Sequence, residues 1–320
     1  MIFLEPARDY EWMRLPLGEG AKIVVDWMTE NLALLFTFFR TLLNGMNDTI
    51  AWVLTTPPFW VIILALAAVA YLAKGWKLAL GTILGLLVIV SVSQWSNAMS
   101  SLSLVLVAAI TALVMAIPLG ILAAKNDTAS SIIRPILDFM QTMPAFVYLI
   151  PAIVIFRVGV VPGIVATIIF SMAPGVRLTE LGIRGVDKEV VEAGYAFGSK
   201  PGRILRQIQL PLAMPSIMAG VNQVIMLALS MVVIAGMAGA GGLGADVYAA
   251  VQRIDIRLGF ESGLAVVIIA MILDRVTSGF GSRSRRTAKK KPSSDAAAGS
   301  GQEVEAGEDS KLGARRPMHR

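Results

Sequence analysis

From Leu212 to Ala245 the chain carries no charged residue, whereas the stretch just before it interleaves Arg177, Arg184, Lys188, Lys200, Arg203 and Arg206 with Glu180, Asp187, Glu189 and Glu192. A bilayer core takes about 20 apolar residues of helix to cross, and a charged group at its centre costs at least a few kcal/mol. The charged interval must therefore lie in water between membrane-spanning blocks. Further apolar runs of spanning character are Pro58 to Ala73, Leu78 to Trp95, Leu102 to Ala124, Phe139 to Phe156, Val160 to Val176 and Leu258 to Leu273, with Leu212 to Met237 the seventh. At 56% hydrophobic and 16% charged over 320 residues, with mean hydropathy +0.70, the chain is too apolar for a soluble domain. The expected fold class is an all-α polytopic membrane protein with about seven transmembrane helices.

The charged interval has its own periodicity. Asp187 suits an N-cap, and Val190, Ala193, Gly194 and Phe197 follow at i, i+3, i+4 and i+7 as one apolar face. Gly198 can supply a left-handed turn. Ser199 and Pro201 suit the start of a second helix, with Ile204, Leu205 and Ile208 on one side and Lys200, Arg203 and Arg206 in water. Pro211 is expected to end it at the membrane. The pattern predicts a bent knob with an exposed apolar face, suited to docking.

Glu192-Ala193-Gly194, three residues, Gly198, nine residues, then Ile208, any residue, Leu210-Pro211 resembles the cytoplasmic loop signature of permease subunits of bacterial ATP-binding cassette importers, with Gly194 where the family pattern has Ala. The run from Gln209 through Gln223 and Ala235 to Gly244 is similar to the glycine betaine/proline betaine/choline branch, and the resemblance extends over roughly residues 100 to 277. It implies a five-helix type I importer core over 100–277 with a coupling loop at 178–211. It also implies a role for Glu192, Ala193, Gly198, Ile208, Leu210 and Pro211 in seating the knob in a cleft of the ATPase. The implied partners are two ATPase subunits, a second permease copy as a homodimer, an extracytoplasmic substrate-binding protein and the lipid bilayer. ATP and Mg belong on the partner ATPase, and the implied activity is osmoprotectant uptake at the bacterial plasma membrane.

Composition excludes other chemistry. There is no Cys, and the only His is His319 in the tail, so a disulfide framework, thiol catalysis and a zinc site are not expected. Gly239-Ala-Gly-Gly-Leu-Gly244 lacks the Lys-Ser/Thr of a phosphate-binding loop, which leaves the glycines to turn the chain at the outer face; no cofactor, metal or catalytic residue is expected in this chain. The isoelectric point of about 9.7 comes from the tail, where Arg283, Arg285, Arg286 and Lys289 to Lys291 cluster, so it does not imply a nucleic-acid partner. A helix-turn-helix reading of the knob fails because short connections to two spans leave no room for a DNA-binding domain.

The positive-inside rule orients the chain. If the charged loop is cytoplasmic, Lys74 and Lys77, Lys125 and Arg134, and the Arg283 cluster are cytoplasmic too; the N-terminus falls outside and the C-terminus inside. Arg157, Arg253 and Arg257 are exceptions on the outer side, two of them near Asp255 and Glu261. The expected organisation is 1–56, extracytoplasmic, with an amphipathic interfacial helix at 32–54; 57–99, two accessory spans; 100–277, the core; and 278–320, a disordered basic tail.

Asn222 and Gln223 sit in an otherwise apolar span. Interhelical hydrogen bonding is their default role and lining the translocation path the alternative. Asp138, Gln141 and Glu180 lie near span ends, where snorkelling to the surface accounts for them. The competing function is an ion-coupled secondary transporter or channel without an ATPase, a class marked by intramembrane acids or bases and inverted repeats; the sequence shows no internal repeat and no mid-span acid.

Overall fold

The computed structural model describes residues 17–289, and among these every regular element is helical. Two amphipathic helices lead, α1 (Leu17–Asn31) and α2 (Ala33–Thr55), followed by α3 (Phe59–Lys74) and α4 (Trp76–Ser91). The centre is built from α5 (Trp95–Lys125), α6 (Asp127–Thr142), α7 (Ala145–Phe156) and α8 (Val160–Arg184). The knob comprises α9 (Lys188–Ala196), α10 (Pro201–Ile204) and a π-helical turn (Leu205–Gln209). It runs into α11 (Leu210–Ser230), after which come α12 (Val232–Met237), α13 (Gly242–Arg253) and α14 (Ile256–Lys289).

α8 is the spine. Its buried face includes Ile164, Ala173 and Val176, packed with Ala108, Ala112 and Ala116 of α5 and Val224 and Ala228 of α11. Small residues set how closely these helices approach. A Cβ at Gly120 would lie 2.6 Å from Cβ of Thr179, and one at Gly163 2.7 Å from Cβ of Ala235. Between membrane helices, where lipid removes much of the hydrophobic drive, such close packing supplies the association.

Seven spans were expected; the structure gives a different count. Among the described residues, four helical stretches are long and apolar enough to cross a bilayer, Trp95–Lys125, Val160–Arg184, Pro201–Met237 and Ile256–Phe280, or up to six if two bent pairs each count as one. The expected span from Phe139 to Phe156 is one of those pairs, broken by 97° between α6 and α7. Pro144 has no N–H to continue α6 and forces the residue before it out of the helical region, so Met143 is extended at ψ 137°. The other pair is α2 and α3, bent by 105° at Pro57-Pro58. With 16 residues each, α3 and α4 span about 24 Å, less than the ~30 Å hydrocarbon core.

α2 is not free of the bundle. Asn47 is buried, and its backbone and side-chain oxygens lie within hydrogen-bonding reach, 2.9 and 3.1 Å, of the Ser103 hydroxyl on α5. The tail also departs from expectation: α14 continues past Thr277 to Lys289, so disorder does not begin at residue 278. Arg, Lys and Ala after Gly281 favour helix, and Gly279 lets α14 pass within contact of the Ala73 carbonyl on α3. The rest of the tail, including Lys290, Lys291 and His319, lies outside the described residues.

Candidate functional site

The knob follows directly from the end of α8. The Asp187 carboxylate accepts from the Glu189 N–H at 2.9 Å, capping α9. Gly198 sits at φ +73°, where the chain reverses, and its N–H reaches the Tyr195 carbonyl at 2.8 Å. Pro201 then opens α10, where its fixed φ suits a first helical turn. Ile204 and Leu205 are buried, whereas Lys200, Arg203 and Arg206 are exposed.

Two expectations are corrected here. Pro211 does not end the second helix: the π-helical turn, in which the Leu210 N–H reaches back five residues to the Leu205 carbonyl, carries the helix through it into α11. A proline ring clashes with the carbonyl four residues earlier, and the widened turn moves that register just ahead of Pro211. Nor do all four predicted residues form an outward apolar face. Gly194 is turned inward, where a Cβ would lie 2.8 Å from Cδ1 of Ile208 and 3.4 Å from Cγ1 of Ile204. The surface left for docking is Val190, Ala193, Tyr195 and Phe197, the last 88% exposed. Glu192 is exposed one turn into α9. Leu210 is half-buried against Ile183, Leu205, Ala213 and Ile217, which joins the knob to the membrane helices.

At the root of the knob is a cluster that sequence reasoning missed. Glu180 does not snorkel: it is 3% exposed. Its carboxylate accepts from the Ser130 hydroxyl at 2.7 Å and from the Arg134 guanidinium at 2.9 Å, and pairs with Arg184 at 3.0 Å. Arg184 also pairs with Asp127 at 2.7 Å and donates to the Ala123 carbonyl at 2.7 Å, while Arg177 pairs with Asp138. Residues of this group line a cleft of about 310 Å³. The acids and bases within it are mutually paired, so the cluster acts as a clamp between α6 and the last turns of α8, three residues before α9 begins. The spacing held a signal: Arg177, Glu180 and Arg184 lie at i, i+3 and i+7 on one helix face, and Asp127, Arg134 and Asp138 repeat it at i, i+7 and i+11.

Asn222 and Gln223 part company. The Asn222 amide donates to Asp274 of α14 at 3.2 Å and its carbonyl accepts from the Thr277 hydroxyl at 2.5 Å, tying α11 to α14. This is the interhelical role. Asp274 lies near the end of the Ile256–Phe280 stretch, not at its middle, and the Asn222 contact gives it a partner. Gln223 is exposed on the neighbouring face. At the far end of α5, Ser101 accepts from the Leu243 N–H at 2.8 Å and Asn97 donates to Asp246 at 2.5 Å. Gly239, Gly241 and Gly242 take positive φ to bring α13 back there, the turn expected of them.

Residues 116–286 match the family model described as binding-protein-dependent transport system inner membrane component. The chain belongs to that family. It is 46% identical to the glycine betaine/carnitine transport permease protein GbuB of Listeria monocytogenes serotype 1/2a (strain 10403S), over 85% of this chain and 97% of that one. It is 44% identical to the glycine betaine/proline betaine transport system permease protein ProW of Escherichia coli (strain K12), over 81% of this chain and 75% of that one. Among solved structures it is similar to the inward-facing MetNI methionine ABC transporter, with TM-score 0.53 and 19% identity over 57% of this chain and 92% of that one. At that identity the likeness shows the fold, that of an ABC importer permease. Membership in the family makes the chain a multi-pass membrane transport subunit that works with an ATPase and a substrate-binding protein.

Proposed function

We propose that this chain is the translocating subunit of an ATP-driven importer for glycine betaine, proline betaine or related quaternary amines. The observation that carries the reading is identity of 44–46% over 81–85% of the chain to permeases named for glycine betaine with carnitine or proline betaine. Two copies of the chain, as a homodimer, associate with two copies of the ATPase, which binds ATP and Mg, and with a binding protein outside. The N-terminus lies outside and the C-terminus in the cytoplasm.

Coupling runs through residues 187–211. Phe197, Tyr195 and Val190 enter the ATPase cleft. Ile208 meets Gly194, and Leu210, at the base of α11, packs on Leu205 and on Ile183 of α8, so a displacement of α9 is delivered to the membrane helices through both. The Glu180 clamp keeps α6 moving with α8. Gln223, exposed on α11, is the candidate for lining the path, and Asn222 holds α11 against α14.

The test is uptake by the reconstituted complex of permease, ATPase and binding protein, with ATP inside or absent. Radiolabelled glycine betaine and proline betaine should accumulate only with ATP, in preference to proline. Accumulation by this chain alone in ATP-free vesicles would replace the reading with an ion-coupled transporter.

A further inference from the structure

A second cleft, of about 440 Å³, lies between the α1–α2 pair and the end of α7, remote in sequence from the knob and from Asn222. Two guanidinium groups line it, Arg40 of α2 and Arg157 just after α7, and no acid does. Arg134, Arg177, Arg184 and Arg257 have carboxylate partners; Arg40 and Arg157, like the exposed Arg203, Arg206 and Arg253, have none among the described residues, and Arg40 and Arg157 alone of these share a cleft. The nearest acids of α1 in sequence, Asp26 and Glu30, are exposed and do not line the cleft. The Thr29 and Thr37 hydroxyls donate to carbonyls of their own helices, so they do not supply donors to an occupant.

Arg157 is held in an unusual conformation to be there. Its φ of 63° and ψ of 167° fall in a region that glycine occupies almost alone. Phe36 packs edge-on against Phe156 at 5.6 Å, fixing α2 against the residue next to Arg157. Beyond the cleft the surface is apolar: Val154 and Ile150, a turn apart on α7, are 52% and 67% exposed.

We infer that this cleft binds the phosphodiester headgroup of an anionic phospholipid, with Arg40 and Arg157 as its counter-charges and the α7 face as the seat of an acyl chain. Two guanidiniums that share a cleft without a protein carboxylate attract an anion, and at a membrane interface the lipid phosphate is the anion at hand. One phosphodiester neutralises one of the two guanidiniums, so a headgroup without its own cation, phosphatidylglycerol, is preferred to zwitterionic phosphatidylcholine. On the topology proposed above, the site is at the outer interface, which accounts for an arginine there against the positive-inside pattern.

The experiment is thermal unfolding of the purified full complex in neutral detergent, titrated with dioleoyl phosphatidylglycerol, dioleoyl phosphatidylcholine or glycerophosphate. Phosphatidylglycerol should raise the midpoint and phosphatidylcholine should not. Arg40→Gln/Arg157→Gln should weaken that response by roughly tenfold or more. Arg157→Gly, which relieves the backbone conformation while removing the charge, should weaken it too without lowering the starting midpoint, and Arg253→Gln, exposed on the same side, should leave it unchanged. An undiminished response in the double variant, an equal response to phosphatidylcholine, or full reproduction by glycerophosphate would overturn the assignment, the last by showing a free-anion site. Because the readout is lipid binding, its failure is distinct from failure of the transport reading.

Discussion

Gly198 is the residue on which the knob's shape turns. A Cβ there would meet nothing within 4 Å, so substitution is opposed by its φ of +73° and not by crowding. A β-branched side chain in that region costs about 1–3 kcal/mol, enough to shift a turn held by few contacts. Gly198→Val is therefore expected to leave the chain inserted but to break the link between ATP hydrolysis and uptake, measured as transport per ATP hydrolysed. Gly202→Ala is the contrast: it also meets open space, lies in α10 without positive φ, and should gain up to about 1 kcal/mol of helix stability with coupling intact. Glu180 carries a different kind of weight. Glu180→Ala strips the Ser130 hydroxyl of its acceptor and leaves Arg134 and Arg184 without their shared counter-charge. Both arginines are partly in water, which softens the loss to about 1–3 kcal/mol. Thermal unfolding should fall accordingly, and Glu180→Gln, which keeps an acceptor for Ser130, should fall less.

Between elements, the contact of α9 with the π-helical turn is one glycine wide. Gly194→Ala pushes a methyl group to 2.8 Å from the end of the Ile208 side chain, which a rotamer change can relieve. The single variant should cost coupling modestly. Gly194→Ala with Ile208→Val, which shortens that side chain by one methyl, should recover it, and a double-mutant cycle on coupled ATPase activity measures the interaction. If the two effects simply add, the two side chains do not meet in the working complex. This level is also where the sequence stops being readable. Asp187, Gly198 and Pro201 announce their roles because each acts on its own backbone within a few residues. Burial of Glu180 depends on Ser130 and Arg134, some 50 residues away, and nothing local distinguishes it from a snorkelling acid. The break before Pro144 was written in the sequence, but the apolar run across it masked the signal. Pro211 reads as a helix stop in the sequence, but a proline stops a helix only where the register cannot widen, and here the π-helical turn widens it.

For the molecule as a whole, the two ends of the bundle carry different groups, and the orientation proposed for them is open to a direct check. α5 runs from the Ser101 and Asn97 contacts with α13 at one end to Lys125 and the Arg184 contact with Ala123 at the other, so a single helix connects the two faces. The knob lies at the Arg184 end. Lys125, Arg134, Arg184, Lys200, Arg203 and Arg206 gather there, as expected for a cytoplasmic side. The native chain has no Cys, so each introduced thiol is the sole reporter. Ser96 and Lys200 are both exposed and stand at opposite ends of this arrangement. In intact cells, a membrane-impermeant maleimide is expected to label Ser96→Cys and to spare Lys200→Cys; after permeabilisation both should react. Adding the ATPase to permeabilised membranes should then slow labelling at residue 200 alone, because on the proposed function the knob that bears it is the surface the ATPase covers. Labelling of Lys200→Cys in intact cells would invert the topology, and labelling at 200 indifferent to the ATPase would move the coupling surface away from α9 and α10.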